Sequence, residues 1–173
     1  MKNYIKFGTV AIVLMVFTSV LASNGTDDVP TRLADRDLKV VQAGELIYQS
    51  NCAGCHGQYL EGQPNWRTRD ANGLLPAPPH DETGHTWHHA DDLLFEITKY
   101  GPSVVIGDPE YKTSMPVYEG ILSDDEIIAV LSFIKNTWPE EQREWQEQAN
   151  GTQRDAITEA PKKKQSIIDR LLK

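Results

Sequence analysis

Five residues constrain this chain more than any other stretch: Cys52-Ala53-Gly54-Cys55-His56, a C-x-x-C-H run in a 173-residue sequence. Two thiols at this spacing, with an imidazole directly after the second, form the attachment pattern for c-type haem. Each thiol can add across one haem vinyl group, and the neighbouring histidine offers its ring to the iron from the same short turn. A redox C-x-x-C would sit in a βαβ setting, and nothing around residue 52 reads as strand. A zinc site needs four ligands, often two cysteine pairs, and Cys52 and Cys55 are the only cysteines present. No structural disulfide is left over, so export cannot be inferred from cysteine pairing.

The N-terminal residues carry that inference instead. Lys2 and Lys6 make a basic start, Phe7 to Ala22 is mostly apolar, and Val20-Leu21-Ala22 gives a small-residue cleavage pattern. A membrane-spanning helix needs about 20 apolar residues, which this stretch does not reach. The expectation is a signal peptide at 1–22, with an uncleaved N-terminal membrane anchor as the alternative. Either places the remaining chain in the periplasm or otherwise outside the inner membrane, where c-type haem is attached. Residues 23–35 read as a linker and 36–138 as the haem domain. Residues 139–173 read as a polar C-terminal tail. The domain carries 15 acidic and 7 basic side chains, a net of −8, whereas the tail is neutral. That balance excludes a nucleic-acid-binding role and suits a partner with a basic docking patch.

Periodicity predicts three main helices. The first runs from about Asp37 to Gln49, with Val40, Gly44 and Ile47 on one stripe and Val41 and Tyr48 beside it. A mid-helix glycine costs about 1 kcal/mol against alanine, so Gly44 points to close approach by another helix. The second spans about Asp91 to Tyr100, with Leu93, Ile97 and Tyr100 on one face, and Gly101-Pro102 ends it. The third opens on the capping box Ser123-Asp124-Asp125-Glu126 and stops at Pro139. Between them, 57–86 and 102–120 are rich in proline and glycine and read as long loops. Such loops need an organiser in a small domain, and a haem edge would be one. No window alternates with period two, so the fold class is all-α, with long loops around one covalently bound haem. In the tail, 151–161 reads as flexible. Residues 162–173 form a short basic amphipathic segment able to touch anionic lipid or a partner.

Haem iron bound through His56 needs a second axial ligand or an open position. Met115 is the only methionine beyond the export segment, and it sits in Thr113-Ser114-Met115-Pro116. A lone methionine ordinarily fills core. Its loop position, the following proline and its distance from the haem motif favour ligation, which raises the reduction potential. His80, His85, His88 and His89, with Trp87 among them, form a second cluster. Four imidazoles can take copper or zinc, serve as an alternative haem ligand, or line the haem edge and bond its propionates.

With these residues in view, the chain resembles the class I c-type cytochromes, of the small exported bacterial kind. The resemblance rests on C-x-x-C-H at 52–56, Gly44 and Tyr48 one turn apart in the first helix, Ser114-Met115-Pro116, and the closing helix from Leu122 to Ile134. It covers about residues 36–138. It implies a cytochrome c fold in which the first and last helices cross beside the haem, giving Gly44 its reason and Tyr48 and Phe133 a place around it. It also implies a backbone carbonyl accepting the proximal histidine's Nδ1 proton. Pro78, in Leu75-Pro76-Ala77-Pro78-Pro79, is the candidate. The expected cofactor is one haem c, and the expected role is single-electron transfer rather than catalysis. Fitting partners are a quinol-oxidising complex, a terminal oxidase or an exported dehydrogenase. The alternatives are a fixed electron-transfer subunit of a larger oxidoreductase, a haem enzyme or gas sensor with an open iron, and a copper-handling protein using the histidine cluster.

Overall fold

The computed structural model describes residues 32–171, with side chains to residue 156; the expected export segment lies outside that range. Six α-helices follow in order: α1 (Leu38–Asn51), α2 (Ala53–His56), α3 (Asp91–Tyr100), α4 (Pro102–Ile106), α5 (Asp124–Thr137) and α6 (Glu140–Leu171). A single 3₁₀ turn covers Thr86–His88. Among the described residues there is no strand, only an isolated bridge between Glu119 and Leu122.

α1 begins at Asp37, whose carboxylate accepts from the backbone of Lys39 at 3.0 Å and satisfies an otherwise open donor. Its buried face is Val41, Gly44 and Tyr48. The seam therefore lies one step from the Val40–Gly44–Ile47 stripe, and Val40 and Ile47 are half-buried. α5 opens on the full capping box, with Ser123 and Glu126 each satisfying the other's backbone. α1 and α5 cross in direct contact. The core behind them joins Tyr48, Leu60, Leu94, Ile127, Val130, Leu131, Ile134 and Trp138. Each large apolar side chain buried there contributes about 1.5–3 kcal/mol.

Four features differ from the sequence expectations. α4 forms inside the 102–120 stretch, because Pro102 sits at the start of the helix, where its missing N–H costs nothing. Gly107, with φ +75°, ends it. In α3 the buried residues are Asp91, Leu94 and Thr98, while Leu93, Ile97 and Tyr100 are half-buried. The chain just before α1 is packed rather than linker-like. Leu33 is buried, its N–H donates to Asp91 Oδ2 at 3.1 Å, and the Ala34 N–H donates to Ser132 Oγ at 2.9 Å.

The fourth difference is the tail. It is one helix through 151–161, where the composition had suggested flexibility, and its first turns dock on the domain. Gln146 is fully buried and Asn150 nearly so. Gln146 Nε2 donates to Asp91 Oδ1, and Asn150 Oδ1 accepts from the Asp91 N–H at 2.8 Å. Arg143 donates to Asp35 at 2.7 Å, and buried Lys135 donates to Glu147 at 2.7 Å. This contact is polar, so a search for apolar periodicity passes over it. Among the described residues no helix is long and apolar enough to cross a membrane.

Candidate functional site

The C-x-x-C-H run continues the end of α1. The Cys52 N–H donates to Tyr48 O at 2.8 Å, and the His56 N–H donates to Cys52 O at 2.9 Å, which winds α2 directly onto α1. Positions 52, 55 and 56 thus share one side of a helical turn. Cys52 is half-buried, Cys55 is exposed and His56 is buried. Burial pushes the Cys52 thiol up to about 11. Gly57, with φ +85°, ends the turn, and the Tyr48 hydroxyl donates to its carbonyl at 2.8 Å.

His56 is gripped from its edge. Its Nδ1 lies 2.9 Å from Pro78 O. A carbonyl only accepts, so Nδ1 carries the proton and Nε2 keeps its lone pair for a metal. Burial holds this imidazole below the ordinary histidine pKa, and the Pro78 bond pulls weakly the other way. The Pro78–Pro79 backbone is itself clasped. A Cβ added at Gly62 would fall 2.4 Å from Pro79 N, and one at Gly84 would fall 2.1 Å from Pro79 O. Only glycine lets the two loop segments come this close.

Gly44, Tyr48 and Phe133 meet at the α1–α5 crossing. A Cβ at position 44 would fall 1.9 Å from Ala129 O and 2.9 Å from Phe133 Cβ. The Tyr48 and Phe133 rings lie 5.5 Å apart, tilted by 49°. Met115 is half-buried in the extended stretch before α5, with its N–H on Thr113 Oγ1 at 3.1 Å. Three residues on, the Tyr118 hydroxyl donates to Asn51 O at 2.7 Å, which ties this stretch to the residue preceding Cys52. Burial raises the Tyr118 phenol to about 12.

The histidine cluster divides. His80 stacks on His56, with ring centroids 4.1 Å apart and planes 20° apart. It therefore stands beside His56 rather than opposite it, which removes it as an opposing ligand. Burial, then the neighbouring His56, holds His80 well below the ordinary histidine pKa. His85 stacks on Trp66, and Arg67 lies over the other ring of that pair at 4.0 Å. His88 stacks on Trp87. Among the described residues no three histidine, cysteine, aspartate or glutamate side chains converge as a metal-ion site. Sequence reading placed His80 in the histidine cluster but not against His56, and it missed Thr86, Trp138, Tyr118 and Gly62 as parts of this site. Trp138, Tyr118 and Gly62 act through partners distant in sequence.

The cytochrome c family model matches residues 41–138. The chain belongs to the cytochrome c family. A cytochrome c-551 of Bacillus subtilis (strain 168) is 27% identical over 73 residues, covering 42% of this chain and 65% of that protein. No solved structure matches. Membership implies a covalently bound, iron-containing haem c.

The residues of this cytochrome c fit that group. Two thiols and an imidazole with a free Nε2 stand on one turn, and no cysteine is engaged elsewhere. Two buried polar atoms, His85 Nδ1 and Trp87 Nε1, have no partner among the described residues. An indole N–H only donates, so a carboxylate-bearing group beside the 85–89 loop would satisfy it.

Proposed function

We propose that this cytochrome c carries one haem, attached at Cys52 and Cys55, with His56 and Met115 as axial ligands. It passes single electrons between redox partners outside the inner membrane. The haem iron supplies the one-electron ferrous–ferric couple. The chain does the rest. Pro78 O holds the Nδ1 proton of His56, so the same nitrogen faces the metal in both oxidation states. The α1–α5 core packs behind the turn that bears both thiols, and Met115 would supply a second protein ligand whose thioether would raise the potential. The observation carrying this reading is the His56–Pro78 bond on the turn that bears both thiols. Donors and acceptors of the expected kind are a quinol-oxidising complex, a terminal oxidase or an exported dehydrogenase, met through small, quickly exchanging interfaces.

The test is an absorption spectrum of the exported protein, oxidised and reduced, with and without carbon monoxide. A low-spin spectrum unchanged by carbon monoxide is expected. A high-spin ferric form or ready carbon monoxide binding would overturn the ligation and favour a haem enzyme or sensor.

A second reading, a fixed subunit of a larger oxidoreductase, draws on α6, which at 32 residues is about 48 Å long. Its first turns dock on the domain through Arg143, Gln146, Glu147 and Asn150, and the segment beyond residue 156 is the proposed docking element. Removal of residues 157–173 and co-purification separates the readings, since a free carrier keeps its behaviour without them.

A further inference from the structure

His56 is held on its face as well as its edge, and the same short segment supplies both grips. Pro78 O takes the Nδ1 proton, and two residues later the His80 ring lies against the His56 ring at 4.1 Å, 20° from parallel. We propose that His80 is a positioning residue: its flat ring fixes the rotation of the His56 imidazole about its bond to the iron. The inference rests on His56 as the axial ligand.

His80 is itself anchored at three points. Its backbone N–H donates to Leu60 O at 2.7 Å. Its carbonyl accepts from Trp138 Nε1 at 2.7 Å, and Trp138 is the buried residue that ends α5. Its ring Nδ1 lies 2.8 Å from Oγ1 of buried Thr86. The ring is therefore placed by bonds to Leu60, Trp138 and Thr86 rather than by solvent-exposed loop. A single hydrogen bond at Nδ1 leaves an imidazole free to rock about the line through that bond. A parallel ring at stacking distance removes that freedom, because offset-stacked pairs gain energy only near one relative orientation. Partners that orient a ligating histidine also tune the metal it binds.

The experiment uses haem-loaded, exported protein. His80→Leu and His80→Phe both abolish the bond to Thr86, and only phenylalanine keeps a flat face. Readouts are the electron paramagnetic resonance g-values of the ferric form, which follow ligand-plane orientation, and the reduced-to-oxidised ratio at a fixed poise. His80→Leu is expected to move the g-values and change that ratio by about two- to tenfold, the range an aromatic pair contributes. His80→Phe is expected to stay close to wild type. Leucine matching wild type, or leucine and phenylalanine shifting equally, would overturn the proposal. Thr86→Val frees the His80 ring without changing its volume and is expected to broaden the g-lines; unchanged lines would count against it. A wild-type spectrum that is not low-spin sinks the ligation reading and this inference together, before any variant is compared.

Discussion

Gly44 is where the α1–α5 crossing has least slack, and Gly44→Ala measures it. The added methyl would lie 1.9 Å from Ala129 O and 2.9 Å from Phe133 Cβ. Close carbon–oxygen contacts begin at about 3.3 Å, so the overlap is roughly 1.4 Å. The obstacle is the α5 backbone rather than the tip of a flexible side chain, so it cannot be cleared by a rotamer change. α1 must move off α5, and the motif at its C-terminal end moves with it. Overpacking of this kind costs about 1–3 kcal/mol, occasionally more, while alanine returns about 1 kcal/mol of helix propensity. A backbone obstacle puts the cost at the top of that range, about 3 kcal/mol, so we expect a net loss of about 2 kcal/mol, measured as a lowered denaturation midpoint of the holoprotein at unchanged denaturant slope. Gly54→Ala is the control. A Cβ there meets nothing within 4 Å, so it should be neutral or stabilising by up to about 1 kcal/mol. If Gly44→Ala were equally benign, the helices would have room to spare and the steric account of Gly44 would be wrong.

Trp87→Phe should destabilise the holoprotein by about 1.5–3 kcal/mol if its buried Nε1 donates to a haem carboxylate; unchanged thermal stability would show that the atom has no such partner. Tyr48→Phe, which removes the 2.8 Å bond to Gly57 O, should cost about 1 kcal/mol in denaturant unfolding. The Glu147 carboxyl is held below the usual glutamate value by the hydrogen bond from Lys135. Its stabilisation is thus complete above the unfolded pKa of about 4.3 and is lost as pH falls through the lower folded value. Glu147→Gln should flatten the acid limb of the stability curve below that pH. At neutral pH it should cost only about 0.5 kcal/mol, since Glu147 is half-exposed and Asp35 and Asp91 still face buried Lys135. Ending the chain after residue 139 should lower the melting temperature of the holoprotein by roughly 5 °C or more, as expected for a loss of about 2 kcal/mol in a domain this size. Ending it after residue 156 should leave the melting temperature nearly unchanged.

What was legible in the sequence is what local chemistry specifies. α1, α3 and α5 were readable from helical spacing, the Ser123–Glu126 box and Gly101, because caps and periodicity act within a few residues. The haem motif was readable because its three groups are nearly adjacent. The carbonyl that meets His56 was not readable from spacing; Pro78 was singled out only through the family resemblance, among four prolines between Pro64 and Pro79. His80 was visible as a histidine but not as the neighbour of His56, since 24 positions of irregular chain separate them. α4 was hidden in a stretch whose proline and glycine suggested loop, although those residues stood at its first position and just past its end.

The docking of α6 escaped for a deeper reason. Burial is inferred from apolar residues recurring at helical spacing, and Arg143, Gln146, Glu147 and Asn150 recur at that spacing without being apolar. Their partners are equally polar: Asp35 before α1, Asp91 at the start of α3 and Lys135 near the end of α5. None of these reads as buried alone. Burying such groups unpaired would be strongly unfavourable, so the patch exists only because each side completes the other. Lys135 shows it best. It is 4% exposed, bonds Glu147 at 2.7 Å and has Asp35 and Asp91 each at 3.9 Å. Its charge is matched by three segments that are far apart in the chain. A surface of this kind specifies position more than it adds stability, since each bond largely replaces one made to water. What it positions is informative. Asp91 follows directly on the 85–89 loop, and the Gln146 side chain also reaches His89 O. The helix outside the family match therefore buttresses the aromatic loop that holds the two buried polar atoms without a partner among the described residues, which makes α6 part of the site's scaffold rather than an appendage to it.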